Sequence, residues 1–101
     1  MSHDECHQAI IETIARIPRG KLCPYGVIAK LAGYPGKARY VGYILKNLPN
    51  ETKIPWHRVI NAQGKSSFPT NSDRYKAQHA RLITEGIDIA SSRVNLKTFF
   101  W

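Results

Sequence analysis

Gly33-Tyr34-Pro35-Gly36 is the segment that most limits what this chain can fold into. Two glycines and a proline within four residues interrupt any helix that reaches them. Apolar residues stand at helical spacing on both sides of the break. Val27, Ile28 and Leu31 mark one side of a short helix over Tyr25–Ala32. Ala38, Val41, Gly42 and Leu45 form a stripe along a second helix over about Lys37–Asn47. Two short helices joined by a tight glycine-containing turn outline a helix-turn-helix.

The flanking segments complete a small fold. Cys6, Ile10 and Ile14, widened by Ile11, predict an amphipathic helix over Asp4–Ala15 that Pro18 and Gly20 stop. Leu48–Lys53 reads as a loop and Trp56–Asn61 as a short extended stretch. Asn61-Ala62-Gln63-Gly64-Lys65 looks like a turn, with Ser66–Thr70 running back beside the extended stretch as a wing. Asn71 or Ser72 can cap a helix to about Thr84, with Tyr75, His79, Leu82 and Ile83 at core spacing and Gly86 as its stop. The tail is aromatic enough that Phe99, Phe100 and Trp101 are expected to fold back at least in part. The pattern predicts a single domain over residues 1–101, α/β but mainly helical, with a small wing-like hairpin rather than a large sheet.

Charge narrows the function. The formal net charge is +8. Arg16, Arg19, Lys21, Lys30, Lys37, Arg39, Lys46, Lys53, Arg58 and Lys65 fall in one stretch in which Glu51 is the only acid. So one-sided a segment suits a polyanion, of which nucleic acid is the commonest. No run approaches the roughly 20 apolar residues of a membrane span. Met1–Glu12 lacks the pattern of a signal peptide, and a cytoplasmic protein is expected. Cys6 and Cys23 form no CxxC pair and no recognisable metal set, so they read as reduced, packed thiols with no metal or cofactor.

The most specific segment is Ile54-Pro55-Trp56-His57-Arg58-Val59-Ile60. It resembles the proline-cysteine-histidine-arginine-valine motif of the O6-alkylguanine-DNA alkyltransferases, with Trp56 in the cysteine position. That substitution marks the alkyltransferase-like proteins. The resemblance runs from about Gln8 to the C-terminus and corresponds to the small C-terminal domain of the transferases. It implies a winged helix-turn-helix that docks in the minor groove of double-stranded DNA and flips O6-alkylguanine out of the stack. Tyr25 then matches the tyrosine that presses on the target phosphate. Arg39 matches the arginine finger that fills the gap, and Lys37 and Lys46 are added as DNA contacts. The lesion pocket implied is Tyr25, Pro55, Trp56 and Val59. Arg58 matches an arginine of largely structural role.

His57 and Glu85 correspond to the relay that activates the family's cysteine. An indole N–H is a donor and not a nucleophile, so the relay has nothing to activate, and His57 and Glu85 read as architecture. The family's asparagine aligns with Leu48 when no gap is allowed; a one-residue shift gives Asn47 its place. The segment Ser66–Ser72 is slightly longer than in the transferases, where it walls the alkyl pocket. The resemblance further implies that lesions are marked for nucleotide excision repair proteins, and a monomer is expected. Two other readings stand beside it: an alkyltransferase whose acceptor is Cys6 or Cys23, and a winged-helix transcription regulator. The basic stretch predicts that DNA affinity falls steeply with salt, log K dropping by about 0.9 for each neutralised phosphate per tenfold rise in salt. Isotherms at several ionic strengths check this, and a flat profile would remove the basic stretch from the interface.

Overall fold

The computed structural model describes residues 3–49, 51–91 and 93–101; Met1, Ser2, Asn50 and Ser92 lie outside the described residues, the third within the expected Leu48–Lys53 loop. The order is α1 (His3–Ala15), β1 (Cys23–Pro24), α2 (Tyr25–Leu31), α3 (Ala38–Lys46), a 3-10 turn (Trp56–Arg58), β2 (Val59–Ile60), α4 (Asp73–Thr84), β3 (Ile89–Ala90), β4 (Arg93–Val94) and α5 (Leu96–Phe99). The chain is mainly helical, as expected from the periodicity.

The break at Gly33 closes α2 with a Schellman arrangement. Gly33 N–H donates to Lys30 O at 3.0 Å and Tyr34 N–H to Ala29 O at 2.9 Å. Gly33 and Gly36 both carry left-handed φ, +91° and +88°, which a glycine adopts without a Cβ penalty. The turn thereby releases α3 against α2. Val41, Ile44 and Leu45 of α3 join Ile28 and Ala29 of α2 and Cys6, Ile10 and Ile14 of α1 in one buried cluster, to which Trp56 and Val59 also belong.

β1 and β2 pair in parallel, Cys23 with Val59 and Pro24 with Ile60. This register brings Ile17–Gly20, just before β1, alongside His57 and Arg58, just before β2. The tail lies on the other side of β1: Leu22 N–H donates to Phe99 O at 2.8 Å and Trp101 N–H to Leu22 O at 2.9 Å. Its backbone is therefore docked while the Phe100 and Trp101 side chains stay exposed. A second cluster gathers Leu22, Ile60, Leu82, Ile87 and Val94 under the tail.

The wing sits elsewhere than expected. Ser66–Thr70 forms no strand among the described residues; Phe68 N–H turns back on Ser66 Oγ at 3.2 Å and Pro69 has no N–H to give to a ladder. The hairpin is β3–β4, with Ile89 opposite Val94 and Ala90 opposite Arg93. Lys65 bridges to Arg93, so the turn after β2 meets the hairpin edge. The buried face of α4 also differs: Gln78 and Leu82 are buried, whereas Ile83 is exposed.

Gly64 is the tightest point of this junction. Its φ is +80°, and a Cβ there would stand 2.5 Å from Val94 O. Its carbonyl also accepts Val94 N–H at 2.9 Å. Gly64→Ala is expected to destabilise the chain by at least the order of 1–3 kcal/mol, since left-handed strain and a backbone clash add. Chemical denaturation measures it; an unchanged midpoint would show that the hairpin can move away from the turn.

Candidate lesion pocket and DNA interface

A cavity of about 500 Å³ opens beside α3, lined by Tyr25, Ala38, Arg39, Gly42, Lys46, Ser67, Phe68 and Pro69. Each wall follows from local sequence. Ala38, Gly42 and Lys46 recur every four residues and so stand on one side of α3. Two of them lack bulk, and the cavity results. Tyr25 begins α2 and faces them, its ring 4.0 Å from where a Gly42 Cβ would be. The loop 67–69 forms the opposite wall. A hydrogen bond joins Tyr25 to Ser67, and burial pushes the Tyr25 phenol up despite it. The walls are mostly apolar and the rim carries two cations, which suits a flat, uncharged ring attached to a phosphate chain.

Phe68 was not anticipated. It lines the cavity and also packs edge-to-face on Trp56, with centroids 5.5 Å apart at 84°. Trp56 is only 2% exposed, and Val59 is fully buried. Of the pocket residues the resemblance implied, Tyr25 lines the cavity, whereas Pro55, Trp56 and Val59 do not. Phe68 lines the cavity in front of Trp56, so the indole stands one side chain behind the wall, and Val59 belongs to the core.

Helix α4 organises what lies behind. Arg74, Gln78, Arg81 and Glu85 follow at i, i+4, i+7 and i+11, one side of a helix. The Arg74 and Arg81 guanidinium carbons each lie 5.1 Å from the Trp56 ring centroid, within cation–π range. Arg74 also donates to Leu45 O and Leu48 O, where cations complement the carbonyl end of α3. Gln78 Nε2 donates to His57 O at 3.2 Å and Val59 O at 2.9 Å, fixing the backbone of the motif. The periodicity of these long polar side chains was the available signal, masked by their polarity.

Glu85, the C-cap of α4, collects the rest. Oε2 accepts from His57 Nε2 at 2.6 Å and from Arg58 Nη2 at 2.9 Å; Oε1 accepts Gly20 N–H at 2.9 Å. Arg58 Nη1 also reaches Ile17 O at 2.8 Å. Burial alone would raise the Glu85 carboxyl, but the hydrogen bonds from Arg58, Gly20 and His57 hold it at about 2. Burial lowers His57, with Arg58 and Arg81 adding to the effect against the pull of Glu85. The ring is therefore neutral near pH 7, its Nε2–H on Glu85, and Nδ1 is buried with no hydrogen-bond partner among the described residues. Trp56 meets this ring edge-on, with centroids 6.1 Å apart.

The other expected residues separate. Arg39 and Lys46 line the cavity rim, while Lys37 is the exposed N-cap of α3 and does not. Asn47 stands outside the relay: its Nδ2 donates to Tyr43 O at 2.8 Å, and it ends α3 on the surface. The place beside His57 and Glu85 is taken by Arg58. Cys23 is fully buried in β1 and burial pushes its thiol up to about 11; Cys6 is buried on the core-facing side of α1. The described residues hold no cluster that could bind a metal and no helix long and apolar enough to cross a membrane.

A helix-turn-helix with a mostly apolar cavity against its second helix, backed by a histidine–glutamate relay, defines a DNA-binding domain of the alkylguanine-repair type. The 6-O-methylguanine DNA methyltransferase DNA-binding domain matches residues 5–87. A DNA base-flipping protein of Vibrio parahaemolyticus is 47% identical over 94 residues, 91% of each chain. Alkyltransferase-like protein 1 of Schizosaccharomyces pombe is 38% identical, covering 100% of this chain and 98% of its own. The crystal structure of S. pombe Atl1 in complex with damaged DNA containing O6-carboxymethylguanine superposes with a TM-score of 0.92 over 100% of this chain and 98% of that one. The chain belongs to the alkyltransferase-like family.

Acid should dismantle the relay in two stages. His57, lowered from 6.5, contributes stability that is present above 6.5 and is lost as the ring is forced to charge at lower pH. Glu85, lowered from 4.5 to about 2, contributes stability that is present above 4.5 and is lost between those values. That shift corresponds to roughly 3 kcal/mol. Glu85→Gln is expected to lower stability at neutral pH by that order and to flatten the acid limb below pH 4.5. Thermal unfolding as a function of pH tests it, and parallel profiles for both proteins would exclude Glu85 as the anchor.

Proposed function

We propose that the chain is a non-enzymatic reader of O6-alkylguanine in duplex DNA, which extrudes the modified nucleotide, holds it and leaves it unrepaired. One observation carries the reading: an indole stands at position 56, at the head of an otherwise intact His57–Glu85 relay. The relay can orient a group but finds no acidic thiol beside it. The V. parahaemolyticus relative is named a base-flipping protein, and S. pombe Atl1 binds damaged DNA containing O6-carboxymethylguanine. Both support the same assignment here.

In the mechanism proposed, α3 enters the minor groove, Tyr25 presses the target phosphate, and Arg39 stacks where the base had been. A planar guanidinium suits that place, and it offsets part of the few kcal/mol that unstacking costs. The extruded base enters between Tyr25 and Phe68, and Trp56 backs Phe68 from behind. Pro55 and Val59 act by holding that backing in place. Lys37 and Lys46 meet phosphates. Transfer to Cys23 is disfavoured by its burial and by a thiol raised to about 11, since the thiolate is the nucleophile. The persistent complex then marks the lesion for nucleotide excision repair, the protein acting as a cytoplasmic monomer.

The assay is transfer of a labelled methyl group from O6-methylguanine duplex to an active alkyltransferase, titrated with this chain. Inhibition should follow occupancy of the lesion, the label should stay on DNA, and the mass of this chain should not change. Arg39→Ala should weaken binding by roughly 1–3 kcal/mol, the range of single stacking contacts. Label appearing at Cys6 or Cys23 would overturn the reading, as would equal affinity for alkylated and plain duplex.

A further inference from the structure

α3 carries more than its cavity side. At about 100° per residue, Ala38, Gly42 and Lys46 lie on one flank of Arg39. Tyr43 lies about 40° to the other flank, away from the cavity, and Tyr40 about 60° further round. Tyr43 is 63% exposed, the highest among the exposed large hydrophobic side chains of the described residues. Its ring is not loose: Tyr40 stacks on it, with centroids 6.1 Å apart and planes 11° from parallel. A second aromatic thus holds an exposed one beside Arg39. Cations interleaved with aromatics on a helix that meets DNA are the chemistry of base stacking.

We propose that Tyr43 is a second wedge residue, its ring packing against the bases of the duplex that are left uncovered beside the extruded nucleotide, with Tyr40 fixing its orientation. The inference rests on the extrusion reading above. Continuity with the cavity and its cationic rim argues for DNA as the occupant. Tyr43 is one helical turn, about 6 Å, along α3 from Arg39, so both can reach the same opened step. Its position on the flank away from the cavity assigns it to the nucleotides that stay in the duplex. Tyr43 contributes stacking and no charge, which separates it from Lys46.

The test uses the whole chain and a duplex with one O6-methylguanine, with 2-aminopurine opposite the lesion as the reporter of uncovered bases. Tyr43→Ala should weaken binding about tenfold, at the lower end of single stacking contacts, and should abolish the 2-aminopurine response. Its salt slope should equal that of the unaltered chain, whereas Lys46→Ala should reduce the slope. Tyr43→Phe should restore affinity and response, and Tyr43→Leu, which keeps bulk without the ring, should not. Because the side chain is exposed, these variants should unfold at the same temperature as the parent. Unchanged binding by Tyr43→Ala would overturn the proposal, as would a reduced salt slope or failure of Tyr43→Phe to rescue. If the unaltered chain binds alkylated and plain duplex equally, the lesion reading fails instead. Tyr43 is then judged by the same variants on plain duplex, where loss of the ring effect overturns it.

Discussion

The carboxylate of Glu85 joins three parts of the chain that are distant in sequence. It stands at the C-cap of α4, an unfavourable end for a negative charge because the helix carbonyls already concentrate negative potential there. Arg58, His57 and the Gly20 N–H reverse that balance. Arg58 extends the connection to Ile17 O. Helix α4, the motif turn and the segment between α1 and β1 are therefore held by one buried anion. Removing it would strand a guanidinium that is largely out of water, a costly state in a low-dielectric setting.

From this anchor the geometry of the cavity follows. Glu85 sets the last turn of α4, and Gln78 and Arg74, about two and three turns earlier, fix the backbone after Trp56 and the end of α3. The rear of the pocket is thus referenced to a single rigid helix. The wall facing the cavity is of another kind: Ser67, Phe68 and Pro69 belong to a loop with local hydrogen bonds. A site whose back is rigid and whose front is a loop can keep its orientation while accepting rings with different substituents.

Much of this was legible in the sequence. The α2–α3 pair could be read because its apolar stripe is helical and Gly33 and Gly36 leave the turn few alternatives. His57 and Glu85 could be matched because the motif is compact. What stayed hidden was set by pairing across the chain. The parallel register of Cys23–Pro24 with Val59–Ile60 has no local signature. The hairpin of Ile89–Val94 left only the weak alternation of Ile87, Asp88 and Ile89. Asn47 looked like a relay member because alignment alone does not reveal a helix cap. Phe68 reads as a loop residue until the fold places it against Trp56, where it stands between the indole and the cavity.

The burial of the two thiols has a consequence for the setting in which such a protein works. O6-alkylguanine arises where electrophilic alkylating agents are present, and the same agents attack protein thiolates. Cys23 lies fully buried in β1 with its proton held to about pH 11, and Cys6 faces the apolar core from α1. Both sulfurs are therefore kept from the solvent, and that of Cys23 keeps its proton. On the function proposed above, the chain is built to persist chemically unchanged in the conditions that create its ligand.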